Sequence, residues 1–198
     1  MAMPGRPAVF VDRDGCLTEE VGYVNHVSRI RLLPRTAEAI RRLNRCEMPA
    51  VMVTNQSGIA KGYFSEEILE AVNGEMVRQL AEVGARLDGL YVCTHHPDEG
   101  VPPYRAHCDC RKPRPGLLQR AAAEMDLALG ASVVIGDKMS DVTMAHAVGA
   151  AGVLVLTGYG LGEWEHRRHL WSDQPDHVAD DLLDAVEWVL SRRGRSGS

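Results

Sequence analysis

Short apolar runs recur along the chain without alternating with polar residues: PAVFVD (7–12), AVMVT (50–54), LYVC (90–93), SVVIGD (132–137) and GVLVL (152–156). Runs of this length, rich in β-branched residues, are strands buried on both faces. Between them the period changes. Thr36 to Arg45 puts Ala37, Ile40 and Leu43 on one face. Ser65 is read as an N-cap, with Glu66 and Glu67 in the first turn and Leu69, Val72, Met76 and Leu80 as the buried stripe. Pro115 suits the first turn of a helix running to about Leu127. Two further helices are predicted over Ser140 to Val148 and Val178 to Arg192. Strands alternating with helices predict an α/β fold, a doubly wound, Rossmann-like parallel sheet with helices on both faces.

The ends of three predicted strands are polar: DRDGC after the first, TNQSG after the second, GDKMSD after the fourth. Ligands bind open parallel sheets at the carboxyl ends of their strands. Asp12 and Asp14 would point to opposite faces if the strand continued. They converge only if the chain turns there, and Gly15 permits that turn. D-x-D-G alone reads equally well as a surface turn, and a lone G-D after a strand is weak. All three at strand ends, in this order, are a strong signal.

Composition narrows the picture. A chain of 198 residues suits one domain, assigned here as 1–198, and 45% hydrophobic with 25% charged residues is ordinary for a soluble protein. The net charge of −5 gives no general pull toward nucleic acid or an acidic membrane. No apolar run approaches 18 residues, and the start lacks the apolar stretch of a signal peptide, so a cytoplasmic protein with no membrane partner is expected. The final stretch, about 193–198, reads as a flexible tail. Five cysteines are an odd number, and three fall between 93 and 110. Without an export signal, that favours metal over disulfides.

VDRDGCLTEE, VTNQSGIAKGYF, CDCRKPRPG and IGDKMSD together resemble the four motifs of the haloacid dehalogenase superfamily of phosphatases. With the Cys-x-His and Cys-x-Cys pairs, the chain more narrowly resembles the D-glycero-D-manno-heptose 1,7-bisphosphate phosphatases. The histidinol-phosphate phosphatase domain is a close relative. The likeness runs from about residue 8 to 160. One departure stands out: the family usually has Thr after D-x-D-G, and here Cys16 follows.

The resemblance implies a chemistry that phosphate monoesters require. An anionic nucleophile must approach a dianion, and a divalent cation screens that repulsion. Asp12 is then the nucleophile, forming an aspartyl-phosphate, and Asp14 the acid and base. Carboxylate, carbonyl and water ligands suit Mg²⁺, assigned to Asp12, the backbone carbonyl of Asp14 and Asp137, with Asp141 behind them. Thr54 and the backbone N–H of Asn55 would hold phosphoryl oxygens. Lys112 would offset the negative charge, and Arg111 and Lys138 would contact substrate beyond the reacting phosphate. The alternative for Lys138 is a solvated surface lysine. Cys93, His95, Cys108 and Cys110 form a closed Cys₃His set for structural Zn²⁺, a clip on the 93–110 loop. His96 and His107 are neighbours that could ligate instead, and the family pattern favours His95. Cys46 is expected to be a free thiol, and Trp164, Trp171 and Trp188 to serve packing.

Without a cap-sized insert, loops 17–33, 57–64 and 94–110 would cover the cleft, so no large cap domain is expected. The implied partner is a small sugar phosphate, turned over by a monomer. The implied activity removes the C7 phosphate of the heptose bisphosphate in nucleotide-heptose synthesis for lipopolysaccharide or surface glycans. Histidinol-phosphate phosphatase is the alternative within the class. A catalytically inactive, zinc-stabilised scaffold is the alternative outside it, and the joint presence of Asp12, Asp14, Lys112 and Asp137 argues against that.

Overall fold

β1 (Val9–Val11) is flanked in the sheet by β2 (Ala50–Asn55) and by β4 (Val133–Gly136), both parallel to it. The computed structural model describes residues 5–195. With β3 (Gly89–Cys93), β5 (Ala151–Val155) and β6 (His177–Ala179) the sheet has six parallel strands in the order β3-β2-β1-β4-β5-β6. The chain winds outward from β1 through β2 to β3, then crosses to β4 on the other side. The crevice between β1 and β4 is therefore a topological switch point, where such sheets bind ligands.

Side chains alternate between two cores. Val9 and Val11 join Met52, Ile135 and Val153 under α1 (Thr36–Arg45), α2 (Glu66–Glu82) and α6 (Leu182–Arg195). Phe10, Val51, Val53 and Val134 face the other way, under α3 (Gly116–Met125) and α4 (Met139–His146). Both faces are covered, which is why the strand runs read as apolar throughout. Ser65 caps α2 by accepting from the N–H of Ile68 at 3.4 Å.

Two elements depart from the sequence pattern. The helix expected over Val178 to Arg192 begins at Leu182, and Val178 lies in the edge strand β6. The Asp181 side chain accepts from the N–H of Asp184 at 3.0 Å, which sets the helix start after two acidic residues. A three-residue edge strand is too short to show a period. The other is α5 (Gly160–Arg167), where only Gly160 is buried, so no apolar stripe announces it. Of the tail expected over about 193–198, residues 193–195 continue α6 instead, and 196–198 lie outside the described residues.

Candidate active site

β1 ends at Val11, and the chain turns at once. The carbonyl of Arg13 accepts from the N–H groups of Leu17 and Thr18, each at 2.9 Å, and Gly15 N–H reaches the Thr18 carbonyl at 2.8 Å. Gly15 takes φ +79°, and a Cβ there would fall 2.2 Å from Asp137 Oδ2. Glycine is thus required on two grounds, backbone conformation and the approach of an aspartate. The turn brings Asp12 and Asp14 to one cleft of about 420 Å³, lined also by Glu20, Tyr23, Thr54, Asn55, Gln56, Arg111, Lys112, Lys138 and Tyr159. A wider groove of about 780 Å³ lies at the amino ends of the strands, near Ser132, Val133 and His146, away from this chemistry.

Lys112 is the cleft's central cation. It is 6% exposed, and its ammonium lies 2.8 Å from Asp12 Oδ2, 2.6 Å from Asp141 Oδ1 and 3.2 Å from the Val53 carbonyl. Burial opposes its charge, but the Asp12 and Asp141 carboxylates raise its pKa. Its backbone is clamped by Asn55, whose Oδ1 accepts from Lys112 N–H at 3.1 Å and whose Nδ2 donates to its carbonyl at 3.3 Å.

Oxygens of Asp12, Asp137 and Asp141 lie within 4.8 Å of one another, all buried. Asp141 approaches so closely because residue 136 is glycine, where a Cβ would stand 2.2 Å from the Asp141 Cγ. Asp137 Oδ2 accepts from Tyr159 N–H at 2.9 Å. Among the described residues, buried Asp137 Oδ1 and Asp141 Oδ2 have no hydrogen-bond partner. Burial and the neighbouring carboxylates push Asp137 up to about 7 and Asp141 up to about 6. Unpartnered buried oxygens cost free energy. A hard cation bound by oxygen would satisfy both, so this donor set fits Mg²⁺.

Asp14 is held apart from that trio. Its Oδ1 accepts from Arg13 Nε at 3.1 Å, and its Oδ2 from Arg13 Nη2 at 2.9 Å and Gln56 Nε2 at 2.7 Å. Gln56 Nε2 also reaches Thr54 Oγ1 at 3.1 Å. Arg13 and Gln56 were missed in the sequence. Their only signal was position, one inside the D-x-D motif and one just beyond β2. Lys138 lies 3.6 Å from Glu20 Oε2, 3.8 Å from Asp137 Oδ1 and 4.4 Å from the Tyr159 ring centroid.

Beside the cleft, Cys93, His95, Cys108 and Cys110 converge. Cys93 Sγ is 3.7 Å from Cys108 Sγ and 3.1 Å from Cys110 Sγ, and His95 Nδ1 is 3.4 Å from Cys110 Sγ. A tetrahedral zinc with bonds of about 2.3 Å needs sulfurs separated by about 3.8 Å. The cluster is slightly tighter than that, and its donor chemistry fits zinc. Threads run from it to the cleft. Arg111 Nη1 donates to the His95 carbonyl at 3.1 Å, and Gln56 N–H donates to the Cys93 carbonyl at 2.7 Å. His96 turns away, accepting from the N–H groups of Asp98 and Glu99.

Three loops meet at the cleft mouth. Tyr23 packs edge-on against Tyr63 at 4.7 Å between centroids, and Lys61 pairs with Glu99 at 2.8 Å. Of the remaining histidines, His146 sits between Asp173 and Asp176, and His177 stacks on Trp188.

A carboxylate trio at a switch point, with a buried lysine and a second aspartate two residues from the first, defines a phosphoric monoester hydrolase of haloacid dehalogenase type. Residues 109–185 match the model of the HAD-hydrolase-like family. The chain is 41% identical to the D-glycero-D-manno-heptose-1,7-bisphosphate 7-phosphatase of Thermosynechococcus vestitus over 94% of this chain and 96% of the relative. It is 40% identical to the D-glycero-beta-D-manno-heptose-1,7-bisphosphate 7-phosphatase of Escherichia coli K12, over 93% and 88%. Among solved structures it resembles the D,D-heptose 1,7-bisphosphate phosphatase from B. bronchiseptica complexed with magnesium and phosphate. The TM-score is 0.82 at 31% identity, covering 94% of this chain and 99% of that one. The chain belongs to the haloacid dehalogenase superfamily, in the family of the heptose-1,7-bisphosphate 7-phosphatases.

Proposed function

We propose that this enzyme removes the C7 phosphate of D-glycero-D-manno-heptose 1,7-bisphosphate, a step in making nucleotide-activated heptose for lipopolysaccharide or surface glycans. The observation that carries the chemistry is the pair of buried oxygens without a hydrogen-bond partner among the described residues, Asp137 Oδ1 and Asp141 Oδ2, beside Asp12 and Lys112. Asp12, Asp137 and the backbone carbonyl of Asp14 would hold Mg²⁺. Asp141, expected behind these ligands, belongs to the same cluster and contributes its free oxygen directly or through water. The cation, when bound, screens the charge between carboxylate and phosphate.

Asp12 attacks phosphorus, and the bond from phosphorus to the sugar oxygen breaks. Asp14 gives its proton to that oxygen, releasing the alcohol. Asp14 then takes a proton from water as the water attacks the aspartyl-phosphate, and the Asp12 carboxylate and inorganic phosphate are restored. Lys112 and Thr54, with the N–H of Asn55, hold the phosphoryl oxygens. Arg111 and Lys138 line the same cleft further out and suit the distal phosphate and hydroxyls. Zn²⁺ on Cys93, His95, Cys108 and Cys110 orders the loop that carries Arg111 and Lys112. Thiols kept for a metal belong in a reducing cytoplasm. Every residue invoked comes from one chain, so a monomer suffices.

The test is a side-by-side measurement of kcat/KM on the heptose bisphosphate and on histidinol phosphate, with and without Mg²⁺. The bisphosphate should lead by at least about tenfold, a difference of roughly 1.4 kcal/mol, and only with the metal. Faster hydrolysis of histidinol phosphate, or turnover indifferent to Mg²⁺, would reject the reading.

A further inference from the structure

Arg13 is a fully buried cation, 0% exposed, that the reaction as described does not use. Arginine is almost never buried unless it is paired, because its desolvation is costly. Here every arm of the guanidinium is engaged. Nε and Nη2 take the two oxygens of Asp14 as a fork, at 3.1 and 2.9 Å, and Nη1 donates to Asn73 Oδ1 on α2 at 3.0 Å. The same residue's N–H donates to Asp12 Oδ1 at 2.7 Å, and its carbonyl gathers the turn that follows. Gln56 Nε2 also donates to Asp14 Oδ2 at 2.7 Å, and Thr18 Oγ1 to Oδ1 at 3.4 Å.

A turn alone needs no buried charge, since its backbone bonds serve any residue. The fork does something the backbone cannot: it fixes the plane of the Asp14 carboxylate, which a point charge such as lysine cannot do. Asn73 in turn fixes the guanidinium, anchoring it to a helix packed on the sheet. Proton transfer requires the carboxyl oxygen within hydrogen-bond reach of the departing oxygen, so its orientation bears on rate. We propose that Arg13 and Asn73 are positioning residues that hold Asp14 in the orientation from which it protonates the leaving alcohol. The proposal rests on the assignment of Asp14 as the acid under the reading above.

The experiment separates the two. Arg13→Lys, Asn73→Ala and Asp14→Asn are compared for release of the alcohol in a single turnover, on the heptose bisphosphate and on p-nitrophenyl phosphate, whose leaving group needs little protonation. General acid catalysis contributes about a hundredfold or more. Arg13→Lys should therefore slow the sugar substrate by about a hundredfold while the nitrophenyl ester changes by less than about threefold. Asn73→Ala should show the same split at about fivefold, with KM unchanged and the melting curve near wild type. If Arg13→Lys does not fold, Asn73→Ala decides, because alanine suits a helix interior. Equal losses on both substrates, or no loss, with Asp14→Asn still showing the split, overturn the clamp and leave Asp14 as the acid. No split in Asp14→Asn removes that assignment, and the clamp falls with it.

Discussion

Two clusters of metal-type ligands stand side by side in this protein, and they are built in opposite ways. The carboxylates of Asp12, Asp137 and Asp141 come from both halves of the chain, are buried, and include two oxygens with no hydrogen-bond partner among the described residues. The sulfur cluster comes from a single short stretch, 93 to 110, is only partly buried, and its four ligand atoms lie against one another. The first arrangement stores unmet demand for positive charge at the edge of a cleft. The second offers the four donors that a closed zinc site takes, with none left over to act on a substrate. A donor set with an open position can do chemistry, whereas a closed four-donor set can only hold something in place.

The sharpest way to break that division is to remove the nucleophile. Asp12→Asn should abolish turnover, by at least about a thousandfold or roughly 4 kcal/mol. It should leave zinc content and the melting temperature near wild type, because the shape is kept and a charge is lost from a crowded site. Steady-state rates beside metal analysis and a melting curve make the measurement. Retention of more than about a tenth of the rate, under 1.4 kcal/mol, would rule out a covalent route through Asp12.

Next in size is Cys110→Ser. It should lose zinc, lower the melting temperature by several degrees, and cut turnover about tenfold or more, the scale seen when groups that support a site are removed. The path is short: Cys110 is followed by Arg111 and Lys112, and Lys112 reaches both Asp12 and Asp141. Zinc lost with full turnover and full stability retained would mean that the sulfur cluster holds nothing the carboxylates need.

The difference between the clusters also decided what could be read from the chain. Cys93, His95, Cys108 and Cys110 are close in sequence, so spacing suggested the cluster, and the family resemblance chose His95 over His96 and His107. Asp12 and Asp137 are far apart and became visible because each follows a strand legible as an apolar run, in motifs that resemble a known family. Asp141 was harder. Its place in the trio depends on Gly136 leaving room for its side chain, a packing fact with no local pattern. Arg13 and Gln56 escaped for the same reason, since their partners are fixed by a turn and by a neighbouring strand. β6 and α5 escaped because one is three residues long and the other buries almost nothing.

Arg111 lies between the two clusters, and its variant tells which of them it serves. Its guanidinium touches the His95 carbonyl at 3.1 Å yet also lines the cleft. Arg111→Ala should raise KM for the bisphosphate about tenfold, near 1.4 kcal/mol, with KM for p-nitrophenyl phosphate changed by less than about twofold and zinc retained. A loss of zinc or of melting temperature without the KM difference would assign Arg111 to the clip. An equal loss on both substrates would bring it to the reacting phosphate.

The smallest effect is expected at Cys16, a sulfur beside the carboxylates that belongs to neither cluster. Its side chain is 1% exposed and packs in the core with Leu17 and Val24. Burial, and then the charges of Asp137, Asp12 and Asp141, push its thiol well up, so it stays neutral and unreactive. A neutral thiol is a weak hydrogen-bond donor, and the hydroxyl that the family usually has here is a better one. Cys16→Thr should therefore keep kcat/KM within about twofold of wild type, or raise it slightly, a change under roughly 0.5 kcal/mol. Alkylation offers an independent reading: the zinc-loaded protein should be modified first at exposed Cys46 and not at Cys16 while folded. A loss approaching that of Asp12→Asn, or rapid modification of Cys16 that stops turnover, would place a catalytic sulfur among the carboxylates and end the separation of the two clusters.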